Sequence, residues 1–214
     1  MLNPGFISKW KSYFKYPSSK IEFPVTIFLL VITVYSFSRY LLFNEGREGA
    51  VLDDPILRHF SAIDLNTLIF IAIYSSLLMG LIYFSFNPEQ MMVAFQTYTL
   101  LILFRMSSMY LVPLEPPQGS IDLADPVVFI FGTGQKIIKD LFFSGHTSTA
   151  FLLFQVTKNK YLKAYFLIAT ITVGISVILQ KAHYTIDIYA GLVYSFTSFQ
   201  IIKSLYHKIH KKLY

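Results

Sequence analysis

Long apolar stretches that contain few charged residues dominate the pattern of this chain. Six such stretches occur along the sequence: Phe23–Phe43, Leu65–Phe86, Met91–Leu114, Phe142–Thr157, Ala164–Gln180 and Tyr184–Ile202. A helix needs about 20 apolar residues to cross roughly 30 Å of hydrocarbon, so most of these stretches are long enough. The two shortest, Phe142–Thr157 and Ala164–Gln180, would lack packing partners outside a bundle. The pattern therefore predicts an all-α, polytopic membrane protein with six transmembrane helices.

The residues before the first stretch follow a different pattern. Phe6, Trp10, Tyr13 and Phe14 recur at helical spacing with lysines between them, which is typical of an amphipathic helix in the cytosolic membrane interface. A disordered basic tail is the alternative interpretation. We divide the chain into a cytosolic amphipathic segment (1–20), a six-span membrane domain (21–205) and a basic cytosolic tail (206–214).

Composition and charge agree with a membrane protein and indicate its orientation. Hydrophobic residues make up 54% of the chain and charged residues 14%, against roughly 45–50% and about 25% in soluble domains. If the N-terminus is cytosolic, the basic residues on the cytosolic side are Lys9, Lys11, Lys15, Lys20, Lys158, Lys160, Lys163, Lys203, Lys208, Lys211 and Lys212, and those on the far side are Arg47, Arg58, Lys136, Lys139 and Lys181. This excess predicts that both termini are cytosolic. The net charge of +6 thus indicates topology rather than nucleic-acid binding, and the absence of cysteine excludes disulfides and thiolate metal sites.

A polar motif, Ser144-Gly145-His146-Thr147, opens the fourth apolar stretch. A Ser-Gly pair at a helix start leaves backbone N–H groups at the positive end of the helix dipole, where an anion such as phosphate is favoured. His146 would project beside that anion. A capped helix with a histidine at the membrane rim would show the same residues.

A second polar motif, His183 to Asp187, opens the sixth stretch on the same predicted side of the membrane. Residues four apart share a helix face, so the Asp187 carboxylate can accept a hydrogen bond from one ring nitrogen of His183. The other nitrogen then has a directed lone pair, as a histidine nucleophile requires. A structural His–Asp cap would use the same spacing.

Arg105 lies inside the third stretch, in the outer half of the predicted span. A buried guanidinium needs an anionic partner, and Asp187, Glu115 or a substrate phosphate could serve. The longest connection follows, from Glu115 to Leu141. A loop of this length in a compact protein is usually functional.

Together these residues resemble the signature motifs of the sphingomyelin synthase family, a branch of the phosphatidic acid phosphatase type 2 superfamily of six-helix lipid enzymes. The similar segments are Arg105 to Pro117, Asp140 with Ser144-Gly145-His146-Thr147, and His183-Tyr184-Thr185-Ile186-Asp187. The resemblance implies that His183 attacks the phosphorus of a donor phospholipid, that Asp187 orients His183, and that His146 protonates the departing diacylglycerol. The family's Cys-Gly pair before the aspartate is replaced here by Ile138-Lys139.

The phosphatase branches of that superfamily typically have a Lys seven positions before the arginine and an Arg six positions before the second histidine. Tyr98 and Val177 occupy these places here. A phosphomonoester carries about −1.5 to −2 charge near neutral pH and needs more neutralisation than a diester. The missing cations favour transfer of a phospho-head group from a phospholipid donor to a lipid hydroxyl acceptor, of the ceramide or diacylglycerol class, through a phosphohistidine and without cofactor or metal. The active site would lie at the non-cytosolic face.

Further side chains are candidates to bind the phosphate or the head group. The candidate phosphate-binding residues are Arg105, Ser144 and Gly145, and the candidates for the head group or the rim of the site are Asp140, Glu115, Tyr110, Tyr184 and Lys181. The carboxylates could face a cationic choline or ethanolamine and the rings could form cation–π contacts, although an interfacial aromatic belt would look the same. Two alternative functions stay open: a lipid phosphatase or phospholipase C-like hydrolase with the same site, and a non-catalytic membrane scaffold or lipid transporter.

Overall fold

α-Helices make up most of the chain in this computed structural model, which describes residues 4–123, 125–127, 129 and 134–209. The helices of these residues are α1 (Pro4–Tyr13), α2 (Pro17–Glu45), α3 (Asn66–Ser85), α4 (Pro88–Leu111), α5 (Gly145–Val156), α6 (Lys160–Leu179) and α7 (Thr185–Ile209). The described residues include no β-strand, although an isolated parallel bridge joins Ala50 to Leu114. The prediction of an all-α fold is confirmed.

Each of the six apolar stretches forms a helix, but the helices differ in how well they could span a bilayer. α2, α3 and α6 are long and apolar enough to cross a membrane. α5 has 12 residues, about 18 Å, because Phe142 adopts φ 65° and Ser144 is extended, which keeps residues 142–144 out of the helix. Six transmembrane helices and the cytosolic position of both termini therefore stay predictions.

The short helix α5 is surrounded by other helices. It packs most extensively against α6 and α7 and also contacts α4 and α3, whereas α2 packs mainly against α4. A Cβ at Gly191 of α7 would lie 3.0 Å from the carbonyl oxygen of Ser144, so glycine permits α7 to approach the start of α5. This packing brings the first turns of α5 and α7, which carry His146 and Asp187, next to each other.

The N-terminal segment forms a helix over residues 4–13, which is shorter than the predicted segment 1–20, and its aromatic face packs on protein. The Trp10 ring lies 5.7 Å from that of Phe23, and its Nε1 donates to the carbonyl of Ser85 at 2.9 Å. Phe6 lies 5.6 Å from Phe86. The lysines between these aromatics are exposed. The rings of this helix thus contact α2 and the α3–α4 turn, and its position in the membrane interface stays a prediction.

The described part of the C-terminal region is helical. α7 continues to Ile209, and Tyr206 is buried in the main apolar core. The proposed basic tail, 206–214, therefore begins inside a helix. Lys211, Lys212 and the rest of 210–214 lie outside the described residues.

Residues 115–141, called the connection below, are held against the helix ends by side chains of the bundle. Gln180, which is fully buried, donates from Nε2 to the carbonyl of Ile121 at 3.2 Å. Glu45 at the end of α2 accepts the backbone N–H groups of Ile138 and Lys139 at 3.1 and 3.0 Å. These bonds place the described parts of the connection beside the two histidines.

Candidate active site

His183 and Asp187 form the hydrogen-bonded pair that their spacing predicts. His183 Nδ1 lies 2.9 Å from Asp187 Oδ2, and both residues are buried. The Tyr184 backbone N–H donates to the same oxygen at 3.2 Å, which fixes the carboxylate at the start of α7. An ionised Asp187 carboxylate would only accept, and Nδ1 of a neutral His183 would then carry the proton and Nε2 the lone pair. This is the arrangement of a histidine prepared for nucleophilic attack.

His146 has a carboxylate partner that we did not predict. Its Nε2 lies 2.8 Å from Oδ2 of Asp125, and the other oxygen of Asp125 accepts a hydrogen bond from the Tyr74 hydroxyl of α3 at 2.6 Å. The Val127 backbone N–H donates to that oxygen at 2.8 Å. Asp125 directly precedes Pro126 in the connection. In the sequence, the sign that Asp125 belongs to the site is its position directly before an apolar segment of the connection.

One cavity, called the chamber below, contains both histidines in its wall and has a volume of about 470 Å³. Its walls are otherwise formed mainly by the connection. The lining residues are Pro116, Ser120, Ile121, Asp122, Leu123, Asp125, Pro126, Phe129, Gln135, Lys136, Ile137, Ile138, Asp140, His146, Ala182 and His183. The chamber therefore joins two motifs that are far apart in sequence.

Arg105 pairs with Asp140, which was not among the partners we expected for it. The guanidinium contacts the Asp140 carboxylate and lies 4.8 Å above the centre of the Phe37 ring. A Cβ at Gly145 would lie 2.1 Å from Arg105 Nη1, so the guanidinium rests directly on this glycine. Arg105 is 9% exposed and is absent from the described residues of the chamber wall, whereas Asp140 lines it.

Ser144 joins two helix starts, and its amide is already bonded within the protein, so its role in binding phosphate stays a prediction. Its backbone N–H donates to the carbonyl of Asp187 at 3.1 Å. Its hydroxyl lies 2.9 Å from that of Thr147, and the residue is fully buried. The next N–H groups belong to the first turn of α5, where a helix has no internal acceptors.

Five residues were candidates to bind the head group or to form the rim of the site. Of these, Asp140 alone belongs to the described chamber wall. Glu115 instead binds Lys139 at 2.6 Å, and this contact, assisted by the N–H of Gly49, holds the pKa of Glu115 below its ordinary value. Tyr110 is exposed beneath the guanidinium of Arg47. Tyr184 is buried and donates to the carbonyl of Glu115, and Lys181 lies over Phe60 beside a separate crevice. Among the described residues, Tyr110 and Tyr184 therefore lie outside the chamber wall, and the cation–π site stays a prediction.

The start of α7 is capped by a residue from the first long loop. Asp54 Oδ2 accepts the Thr185 backbone N–H at 2.7 Å, and Oδ1 accepts the N–H of Ile56 at 2.9 Å. Burial acts to raise the pKa of Asp54, but these donors and that of Leu57 outweigh it, so its pKa lies below the ordinary value. An ionised Asp54 thus fixes α7 immediately after His183.

The segment that carries most of this site resembles a known family. Residues 139–205 match the family model described as PAP2 superfamily C-terminal. The match supports the PAP2 superfamily, whose members are phosphatases or phosphotransferases, and it is consistent with an integral membrane lipid enzyme. It does not extend to the sphingomyelin synthase branch, which stays a prediction. Neither the curated proteins nor the solved structures contain a significant match to the chain.

Proposed function

We propose that this protein transfers a phospho-head group from a phospholipid donor to the hydroxyl of a lipid acceptor, with His183 as the nucleophile. The observation that supports this most directly is that two histidines, each hydrogen-bonded to a carboxylate, line one chamber. Such a pair supplies the nucleophile and the acid–base group of a two-step displacement. A scaffold or transporter would have no need of both pairs.

In the first step, Nε2 of His183 attacks phosphorus and the bond between phosphorus and the glycerol oxygen breaks. His146 donates its proton to the departing diacylglycerol oxygen, while Asp187 stabilises the imidazolium form of His183. In the second step, His146 removes the proton of the acceptor hydroxyl, which attacks phosphorus and breaks the phosphorus–nitrogen bond. The N–H groups of the first turn of α5 would hold the phosphoryl oxygens.

The charges of the chamber favour a phosphodiester. Lys136 contacts the carboxylate of Asp122, and Arg105 contacts that of Asp140. Apart from the histidines, every cation in or directly behind the described chamber wall therefore has a carboxylate partner. A diester carries one negative charge, whereas a phosphomonoester carries about −1.5 to −2 and would need more compensation.

The test is to incubate the purified protein with a labelled phospholipid, with and without ceramide or diacylglycerol, and to identify the products by mass. We expect the head group on the acceptor lipid, and no product with His183→Ala. His146→Ala should lose the acid's contribution of about 10²–10⁴-fold on lipid donors but less on a nitrophenyl phosphodiester, which has a good leaving group. Release of the head group into water alone would instead favour a hydrolase. Unchanged turnover in both variants would contradict catalysis at this site.

A further inference from the structure

The connection reaches α3 well inside that helix rather than at its end. Tyr74, which binds Asp125 at 2.6 Å, is eight residues after the first residue of α3, or about 12 Å along its axis. α3 has 20 residues, about the length that spans the hydrocarbon core, and it is apolar enough to do so. With α3 as a span that enters the hydrocarbon at its first turn, the Tyr74 hydroxyl would lie below the membrane boundary even with its ring inclined towards the helix start.

Tyr74 also belongs to the side of α3 that faces away from the bundle. Ile71 and Leu78, three residues before and four residues after it, share its helix face and are 63% and 61% exposed. In a membrane-spanning helix, such a stripe contacts lipid. Asp125 and the residues that follow it therefore lie at the edge of the lipid-facing surface of α3.

The residues that follow Asp125 are apolar and unusually exposed. Val127 is 45% and Phe129 50% exposed, although both belong to a connection that is otherwise rich in polar residues. Pro126 and Phe129 also line the chamber. This is the position in which irregular backbone is tolerated at membrane depth, since it forms the wall of a cavity. Asp125 itself is compensated by Tyr74, His146 and the Val127 N–H.

We infer that Asp125, Pro126, Val127 and Phe129 form a re-entrant surface that lies in the outer leaflet against α3, with Val127 and Phe129 in contact with lipid acyl chains. The surface is continuous with the exposed stripe of α3, and its partner is therefore the hydrocarbon of the bilayer. Phe129 both lines the chamber and is half exposed, so this surface lies between the chamber and the leaflet. The next step rests on the proposed function: a phospholipid reaches His146 laterally, from the leaflet.

The chain has no cysteine, so single-cysteine variants can carry a spin label without other changes. Labels at V127C and F129C in phospholipid vesicles should collide more with oxygen, which concentrates in lipid, than with a water-soluble nickel chelate. The label at Q118C, an exposed position of the same connection, should show the opposite preference, and I71C on α3 provides the lipid reference. A preference at V127C and F129C equal to that at Q118C would overturn the inference.

A second measurement avoids a bulky label. Trp10 is the single tryptophan, so F129W in a W10F background reports on one position. We expect blue-shifted emission that is quenched by lipids brominated near the glycerol and not by aqueous iodide. Quenching by iodide alone would show a water-facing loop, and quenching by neither reagent would show a protein-facing one; either result would contradict the inference. Neither measurement depends on catalytic turnover. A negative result would therefore contradict the re-entrant surface without contradicting the proposed reaction.

Discussion

Asp125 and Asp122 lie three residues apart on the connection but contact different groups. Asp125 binds His146, whereas Asp122 pairs with Lys136, and both line the chamber. A carboxylate on one ring nitrogen of a histidine orients the ring and stabilises its protonated form. The two aspartates therefore form a matched pair for testing whether Asp125 positions the acid–base histidine.

We predict that Asp125→Asn lowers turnover of a lipid donor more than turnover of a nitrophenyl diester, because only the lipid leaving group depends strongly on proton donation. The loss should stay within the roughly 10²–10⁴-fold contribution of a general acid. Asp122→Asn should change both rates in the same ratio. Initial rates with the two substrates give the comparison. If the ratio of the lipid rate to the nitrophenyl-diester rate is the same in both variants, Asp125 only holds the connection in place and does not position His146.

The Arg105 guanidinium packs directly against Gly145, and a Cβ added to Gly145 would lie only 2.1 Å from Nη1. Gly145→Ala should displace the guanidinium from Asp140 and lower turnover of both substrates, with a stability cost of about 1–3 kcal/mol. Gly174→Ala is the control, because its Cβ would lie 3.4 Å from the nearest atom. Turnover and melting temperature in detergent separate the effects. Full activity of Gly145→Ala would show that the site tolerates movement of Arg105.

At the scale of elements, the start of α7 depends on a residue more than a hundred positions earlier. Asp54 caps Thr185, and its pKa is lower in the folded protein than the ordinary value of 3.8. A carboxyl group with a lowered folded pKa stabilises the fold above its ordinary pKa, and the stabilisation disappears as the pH falls through the folded pKa.

We therefore predict that Asp54→Ala destabilises the protein by about 0.5–2 kcal/mol near neutral pH, the usual cost of losing a helix cap. The difference from the unchanged protein should shrink as the pH falls from about 4, where Asp54 of the unfolded chain becomes protonated, through the lower pKa of Asp54 in the folded protein. Asp53→Ala is the neighbouring control, since Asp53 is largely exposed and contacts the exposed Arg58. Melting curves in detergent across this pH range give the comparison. A difference independent of pH would contradict an ionised cap.

The shortness of α5 has a consequence for the depth of the site. A helix of 12 residues cannot span the hydrocarbon, so its first turn can lie below the level at which longer helices begin. The bond between Asp125 and Tyr74, two turns inside α3, places His146 at such a level.

At the scale of the whole molecule, the distribution of lysine and arginine predicts that the connection and the C-terminus lie on opposite sides of the membrane. A single cysteine at Gln118 should react with an impermeant maleimide in intact cells, and one at Ser204 only after permeabilisation. Both positions are exposed in the structure. Reaction of Ser204 alone in intact cells would reverse the predicted orientation, and equal reaction of both would contradict an even number of spans.

Much of the helical architecture and one half of the site follow from the sequence. Apolar stretches form helices in a membrane because the backbone must bond internally, and this requirement does not depend on which helices are neighbours. The His183–Asp187 bond is similarly local, because residues four apart share a helix face. For these features, the spacing of residues along the chain is enough to predict the geometry.

Tertiary structure decided the other half. Asp125 meets His146 across 21 positions and Asp140 meets Arg105 across 35, through a connection whose path no periodicity describes. Several carboxylates could have paired with Arg105, and burial favours whichever one the fold brings to it. The same applies to Ser144, whose amide is used by Asp187 because α5 and α7 meet at Gly191. Contacts of this kind depend on where the helices pack, and a single sequence read along its length does not contain that information.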